Sequence, residues 1–170
     1  TGTFAIELGH SKFAYLGLCS GVCSEGQTIY AMTGEPLTSI RVEQDLALRA
    51  MVCTREQLQT GNHWQSPAGG HQTLFEEDIY NLLRHDALKL RQFAALVTKL
   101  QIHHLVVLAG PPCQDLTTYS KLQGLCGLFG PRSRLFFAVV AILRTMTLLL
   151  PKLQIFGCIE NAGSARAHFV

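Results

Sequence analysis

Leu105-Val106-Val107-Leu108-Ala109-Gly110-Pro111-Pro112-Cys113-Gln114-Asp115 is the stretch that decides the fold. Val106 and Val107 are β-branched, and Leu105 and Leu108 complete a continuous apolar run, the pattern of a strand buried on both faces of a parallel sheet. Gly110 then frees the backbone, and Pro111 and Pro112 each fix φ and remove an amide donor. The sequence therefore predicts a stiff turn that presents Cys113 at the carboxyl edge of an α/β sheet, where open sheets of this class bind ligands.

Working outward, the chain of 170 residues suits a single domain over 1–170 with a sizeable core. At 48% hydrophobic and 15% charged residues it is not a disordered chain, and a net charge of +2 with no Lys/Arg block allows a nucleic-acid partner without announcing one. The six cysteines, Cys19, Cys23, Cys53, Cys113, Cys126 and Cys158, lack the paired spacings of a zinc site and the density of a secreted disulfide scaffold. They are read as reduced, with no metal, in an intracellular protein. Leu135 to Leu150 is the longest apolar run, but it is short of the ~20 residues a membrane span needs and contains Arg144. A buried helix and no membrane partner are expected. The first residues, Thr1-Gly2-Thr3-Phe4, have no basic region or cleavage signature of a secretory signal.

Upstream, Phe13 to Gly26 reads as a strand running into a glycine-containing turn, a layout that can cradle a ligand at a helix N-terminus. Thr38-Ser39-Ile40-Arg41-Val42-Glu43 reads as a second strand followed by a helical Asp45 to Val52. A carboxylate such as Glu43 at a strand end can accept from both hydroxyls of a ribose; it can equally be a solvated charge. Gly61 to Gly70 reads as a loop, with Trp64 either stacking on a base or plugging an apolar edge. His71 to Phe75 is expected as a third strand, and Tyr80 to Leu100 as one amphipathic helix. Asp78 lies between them, where an acid can serve as the helix N-cap. His103 and His104 are expected to be solvated or capping.

Downstream, Gln114 to Arg134 is a long polar segment dotted with Gly124, Gly127 and Gly130, the composition of a functional loop. A helix over 135–149 follows, then Pro151, then a strand from Leu153 to Ile159 ending in Glu160-Asn161. Roughly fifty residues separate Cys113 from Glu160, which suits one strand-loop-helix-strand unit with both residues at the same sheet edge.

Pro111-Pro112-Cys113-Gln114 after a buried strand, together with Ile155 to Asn161, resembles the catalytic motifs of the DNA cytosine-5 methyltransferase family. Arg134-Leu135-Phe136-Phe137 is similar to a segment of that family's de novo animal branch. The resemblance implies a Rossmann-like S-adenosylmethionine-dependent methyltransferase fold, mostly parallel, cut short after its fifth strand. It implies S-adenosylmethionine as cofactor, held by Leu18, Cys19, Gly21, Glu43, Asp78 and Pro111, with Glu43 on the ribose and Asp78 on the adenine amino group. It makes Cys113 the nucleophile, Glu160 the acid at ring nitrogen 3 and Asn161 the residue that fixes their turn. Gln114, Ser120 and Arg134 are the implied substrate contacts, and duplex DNA with the cytosine flipped out is the implied partner.

The sequence departs from the family at Cys19, where an aromatic is common, at Glu25, where a second glycine is frequent, and at Ala162, where valine usually follows Glu-Asn. The resemblance runs from about Phe13 to Asn161 and includes no target-recognition region or closing segment. Either a second chain or further sequence is expected to supply a C-terminal half, or the chain is a degenerate relative. The alternatives are a catalytically incomplete regulatory or binding module, a tRNA cytosine-5 methyltransferase, and a generic nucleotide-binding α/β domain. In a eukaryote the expected location is the nucleus.

Overall fold

The computed structural model describes residues 12–19, 38–55, 64–65, 72–112, 115 and 129–160, with the backbone alone at 49, 52–55 and 64–65. Phe13–Leu18 forms β1, Thr38–Val42 β2, Leu46–Arg55 α1, Trp64–Gln65 β3 and Gln72–Glu76 β4. A 3-10 turn, Ile79–Leu82, precedes α2 at Arg84–Lys99; His104–Ala109 is β5, Leu135–Leu149 α3 and Gln154–Ile159 β6. The parallel strands lie in the order β4-β2-β1-β5-β6, and β3 pairs antiparallel at the outer edge of β4. The architecture is α/β and compatible with a Rossmann-like fold. The first described strand, β1, lies in the middle of the sheet; the strands build outward through β2 and β4, then return to the other side of β1 for β5. Between β1 and β5 the winding reverses, and at such a switch point the connections leave in opposite directions and open a crevice at the carboxyl edge.

The central strands β1 and β5 are mostly apolar, as burial on both faces requires. Every residue of β1 and β2 is buried, as are Leu105, Val106 and Val107 in β5. On one face Ala14, Leu16, Leu18, Ile40, Val42, Leu105 and Val107 form a single core cluster with Leu90, Phe93 and Val97 of α2 and Val139, Ile142 and Met146 of α3. Each fully buried side chain of this size contributes about 1.5–3 kcal/mol relative to exposure. The other face is more polar. Arg41 lies over the ring of Tyr15 at 5.9 Å, and the hydroxyls of Ser39 and Thr73 share a hydrogen bond of 3.0 Å.

The structure corrects four details of the sequence reading. First, the expected helix over 80–100 is broken: the 3-10 turn comes first, and His85, Asp86 and Ala87 take left-handed φ values of 50°, 55° and 56°. The buried carboxylate of Glu76 explains what the break achieves. It accepts from Asn81 Nδ2 at 2.9 Å and pairs with Lys89 Nζ. Residues 81 and 89 would stand about 12 Å apart along a continuous helix, and the break brings both to one carboxylate. Second, Trp64 and Gln65 belong to a short edge strand where a loop was expected, paired with Leu74 and Thr73. Third, His104 is neither solvated nor capping: it lies in β5, half-buried, with its ring stacked on Phe156 at 5.8 Å. Fourth, α3 is buried on one side only, and Phe137, Val140, Arg144 and Leu148 face outward. Arg144 is thus accommodated on an exposed face. Among the described residues no helix is long and apolar enough to cross a membrane.

Candidate functional site

The carboxyl edge of the sheet is organised by hydrogen bonds that continue the ladder one residue past each strand. Cys19 N donates to Val42 O at 3.0 Å, Glu43 N to Glu76 O at 3.1 Å, Gly110 N to Leu18 O at 3.0 Å and Glu160 N to Ala109 O at 2.9 Å. Cys19, Glu43, Gly110 and Glu160 are thereby aligned along one edge. Cys19 turns the chain away with φ 54°, and Gly110 lets the neighbouring turn come close: a Cβ at residue 110 would meet Cys19 O at 3.1 Å.

Above the switch point Cys19, Glu43 and Gly110 line a cleft of about 390 Å³, within the range of small-molecule sites. Cys19 closes the end of β1, residues 42–45 the end of β2, residues 77–79 the end of β4, Gly110 and Pro112 the turn after β5, and Leu135 the start of α3. Among the described residues its charged lining is acidic: Glu43, Asp45, Glu77 and Asp78. Negative charge on a concave wall favours cations and hydrogen-bond donors.

The acids are placed by short local bonds. Glu43 is buried, and its Oε1 accepts from Asp45 N at 2.8 Å. Its second oxygen makes no hydrogen bond among the described residues. Asp45 in turn caps α1, accepting from the amides of Ala47 and Leu48 at 2.9 and 3.0 Å. Asp78 Oδ1 accepts from Tyr80 N at 3.0 Å, while Oδ2 stands 3.9 Å from the exposed Arg84. Asp78 therefore acts as a cap, at the 3-10 turn, and it also lines the cleft. Burial pushes the Cys19 thiol up to about 12, with the carboxylates of Glu43 and Asp78 adding to the shift. At neutral pH Cys19 is a protonated thiol, a weak donor rather than a nucleophile.

Of the cofactor residues expected from the sequence, the structure brings Cys19, Glu43 and Asp78 together in one cleft. Leu18 is fully buried in the core and contributes its carbonyl to the edge ladder. Pro111 is buried, and Pro112 is the proline that lines the cleft. Glu160 is exposed at the end of β6, and Arg134 is exposed one residue before the cleft-lining Leu135. Gly21, Cys113, Gln114, Ser120 and Asn161 lie outside the described residues. Among the described residues no group of three or more His, Cys, Asp or Glu is arranged to hold a metal ion.

One contributor was missed by sequence reasoning. Asp115 is buried, and its Oδ2 accepts from the amides of Arg132 at 2.9 Å and Ser133 at 3.1 Å. These partners are too far along the chain for a capping pattern to reveal them. Compared with known protein families and with characterised proteins, the chain matches none.

Proposed function

We propose that this chain is the catalytic region of an S-adenosylmethionine-dependent cytosine-5 methyltransferase acting on DNA. The observation that carries the reading is the convergence of Cys19, Glu43 and Asp78 in one cleft at the switch point, beside the turn that leads into Cys113. These residues were singled out by a sequence resemblance that knows nothing of the cleft.

The cleft residues fit the cofactor by chemistry. The Glu43 carboxylate is an acceptor for ribose hydroxyls, Asp78 is an acceptor for an adenine amino group, and the acidic lining suits a sulfonium cation. Bound there, S-adenosylmethionine supplies an electrophilic methyl group. The remaining work falls to the chain. Cys113, as the thiolate, adds to carbon 6 of cytosine, and the displaced electron pair moves toward carbon 5 and ring nitrogen 3. Glu160 donates a proton at nitrogen 3, neutralising charge as it develops. Carbon 5 then takes the methyl group as its bond to the cofactor sulfur breaks and S-adenosylhomocysteine leaves. Loss of the carbon 5 proton to a base breaks the Cys113 sulfur–carbon 6 bond, returns the thiolate and gives the nitrogen 3 proton back to Glu160. The base must leave the duplex to be reached, at a cost of about a few kcal/mol. Arg132 and Arg134 are exposed beside the cleft and form no ion pair among the described residues, which suits phosphate contacts.

A second reading, a catalytically incomplete module that a partner completes, draws on β6. Its residues are exposed or half-buried throughout, unlike β1 and β2. Incubation with S-adenosylmethionine and a duplex containing 5-fluorocytosine separates the two. The enzyme reading expects a covalent adduct that is lost in Cys113→Ser. Adduct formation only after a C-terminal half is added supports the incomplete module. No binding of S-adenosylmethionine by calorimetry rejects the cofactor assignment.

A further inference from the structure

We infer that Asp115 is a positioning residue that ties the turn after β5 to the start of α3 and so holds Pro112 and Leu135, two walls of the cleft, at one spacing. The inference rests on the methyltransferase reading of that cleft. The Asp115 side chain is buried, with the residue 5% exposed, and a single oxygen, Oδ2, accepts from two successive amides, Arg132 and Ser133. Both amides belong to the turn that begins α3, where helical N–H groups lack partners of their own and negative charge is favoured.

Gly130 provides the seat. A Cβ at that position would stand 2.3 Å from Asp115 Oδ2, 2.6 Å from Cγ and 2.7 Å from Cβ. The whole carboxylate side chain, not its tip alone, fills the space that glycine leaves open. The turn beneath is closed by Arg134 N to Gly130 O and Phe136 N to Ser133 O, each at 3.0 Å, so it is continuous with α3. Arg134, the N-cap of α3, makes no side-chain capping bond. The amides of Arg132 and Ser133, in the turn that leads into α3, are served by a residue that follows Pro112 by three positions in sequence. Fixing the turn before α3 and tethering the segment after β5 are therefore the same pair of hydrogen bonds.

The test uses the whole chain carrying Asp115→Ala or Asp115→Asn, each assayed well below its own melting temperature. Hydrogen exchange follows the amides of Arg132 and Ser133, and labelled S-adenosylmethionine gives kcat and KM for methyl transfer to a duplex. The Ala variant is expected to speed exchange at both amides and lower kcat, each about tenfold, with KM for S-adenosylmethionine within about threefold. The Asn variant keeps one acceptor oxygen over both amides and is expected to bring kcat back to within about threefold of the unaltered chain. Gly130→Ala, which drives the carboxylate from its seat, is expected to reproduce the fall in kcat. Faster exchange with unchanged kcat makes Asp115 a cap alone and overturns the inference, as does an Asn variant as slow as Ala. If the unaltered chain transfers no methyl group, the methyltransferase reading fails by itself. The iodoacetamide modification rate of Cys113, read by mass spectrometry, then decides the positioning role. A change of about fivefold in the Ala variant that Asn reverses supports it, and an unchanged rate overturns it.

Discussion

The amide of Glu160 donates to the carbonyl of Ala109 at 2.9 Å, one position beyond the last paired residues of β5 and β6. The backbone of the proposed acid is thus fixed to the strand that runs into Pro111 and Pro112, while its side chain is exposed. Glu160→Gln is expected to lower kcat for methyl transfer by about 10²–10⁴, the usual contribution of a positioned acid. Stability should change by less than about 0.5 kcal/mol, because the backbone bond survives and an exposed side chain is altered. Steady-state assays and thermal melts on the same preparation check both halves.

Glu43 divides its two oxygens between the fold and the cleft. Glu43→Gln keeps an acceptor for Asp45 N but loses the charge, so S-adenosylmethionine should bind about tenfold more weakly with little change in melting temperature. Glu43→Ala also loses the bond to Asp45 and should unfold earlier, by about 1 kcal/mol. Calorimetric titration beside denaturant melts distinguishes the two losses.

The Cys19 thiol gives a pH dependence with a definite sign. In the fold its pKa is pushed up to about 12, whereas the unfolded chain ionises near 9.0. Below pH 9 both states carry the proton and this difference leaves stability unchanged. Between pH 9 and about 12 only the unfolded state loses the proton, so stability falls as pH rises. Cys19→Ser is expected to flatten that slope in denaturant melts. At pH 8 the native Cys19 should also resist iodoacetamide, read by peptide mass spectrometry.

Lys89 pairs with a Glu76 side chain that is 0% exposed. Lys89→Met leaves that carboxylate to Asn81 and the amide of Glu77, and should destabilise the fold by about 2–4 kcal/mol. Adding Glu76→Leu should recover part of the loss, because the unpaired buried charge is then gone. A urea-melt double-mutant cycle checks the coupling.

The sequence was most legible where one physical cause acts locally. The runs at Phe13 and Leu105 were legible as strands because burial on both faces leaves them almost entirely apolar, and Thr38–Val42 because it is rich in β-branched residues. Glu43 was legible as a candidate because its carboxylate directly follows a strand, and Asp78 through the family resemblance. What escaped were features set by distant partners. The broken start of α2 answers to Glu76 on another element, and the β3 strand exists only because β4 offers it a partner. The Asp115 bonds join residues 17 and 18 positions apart, and no local pattern encodes them.

The position of β1 at the centre of the sheet has a consequence for how the chain folds. Its partner on one side, β2, follows after a short interval, but on the other side Phe13 pairs with His104, roughly ninety residues later. Closing that span is entropically slow, and parallel pairing offers no hairpin to nucleate it. The crevice between β1 and β5 is therefore among the last features to form. During synthesis the cleft cannot take shape until β5 has emerged.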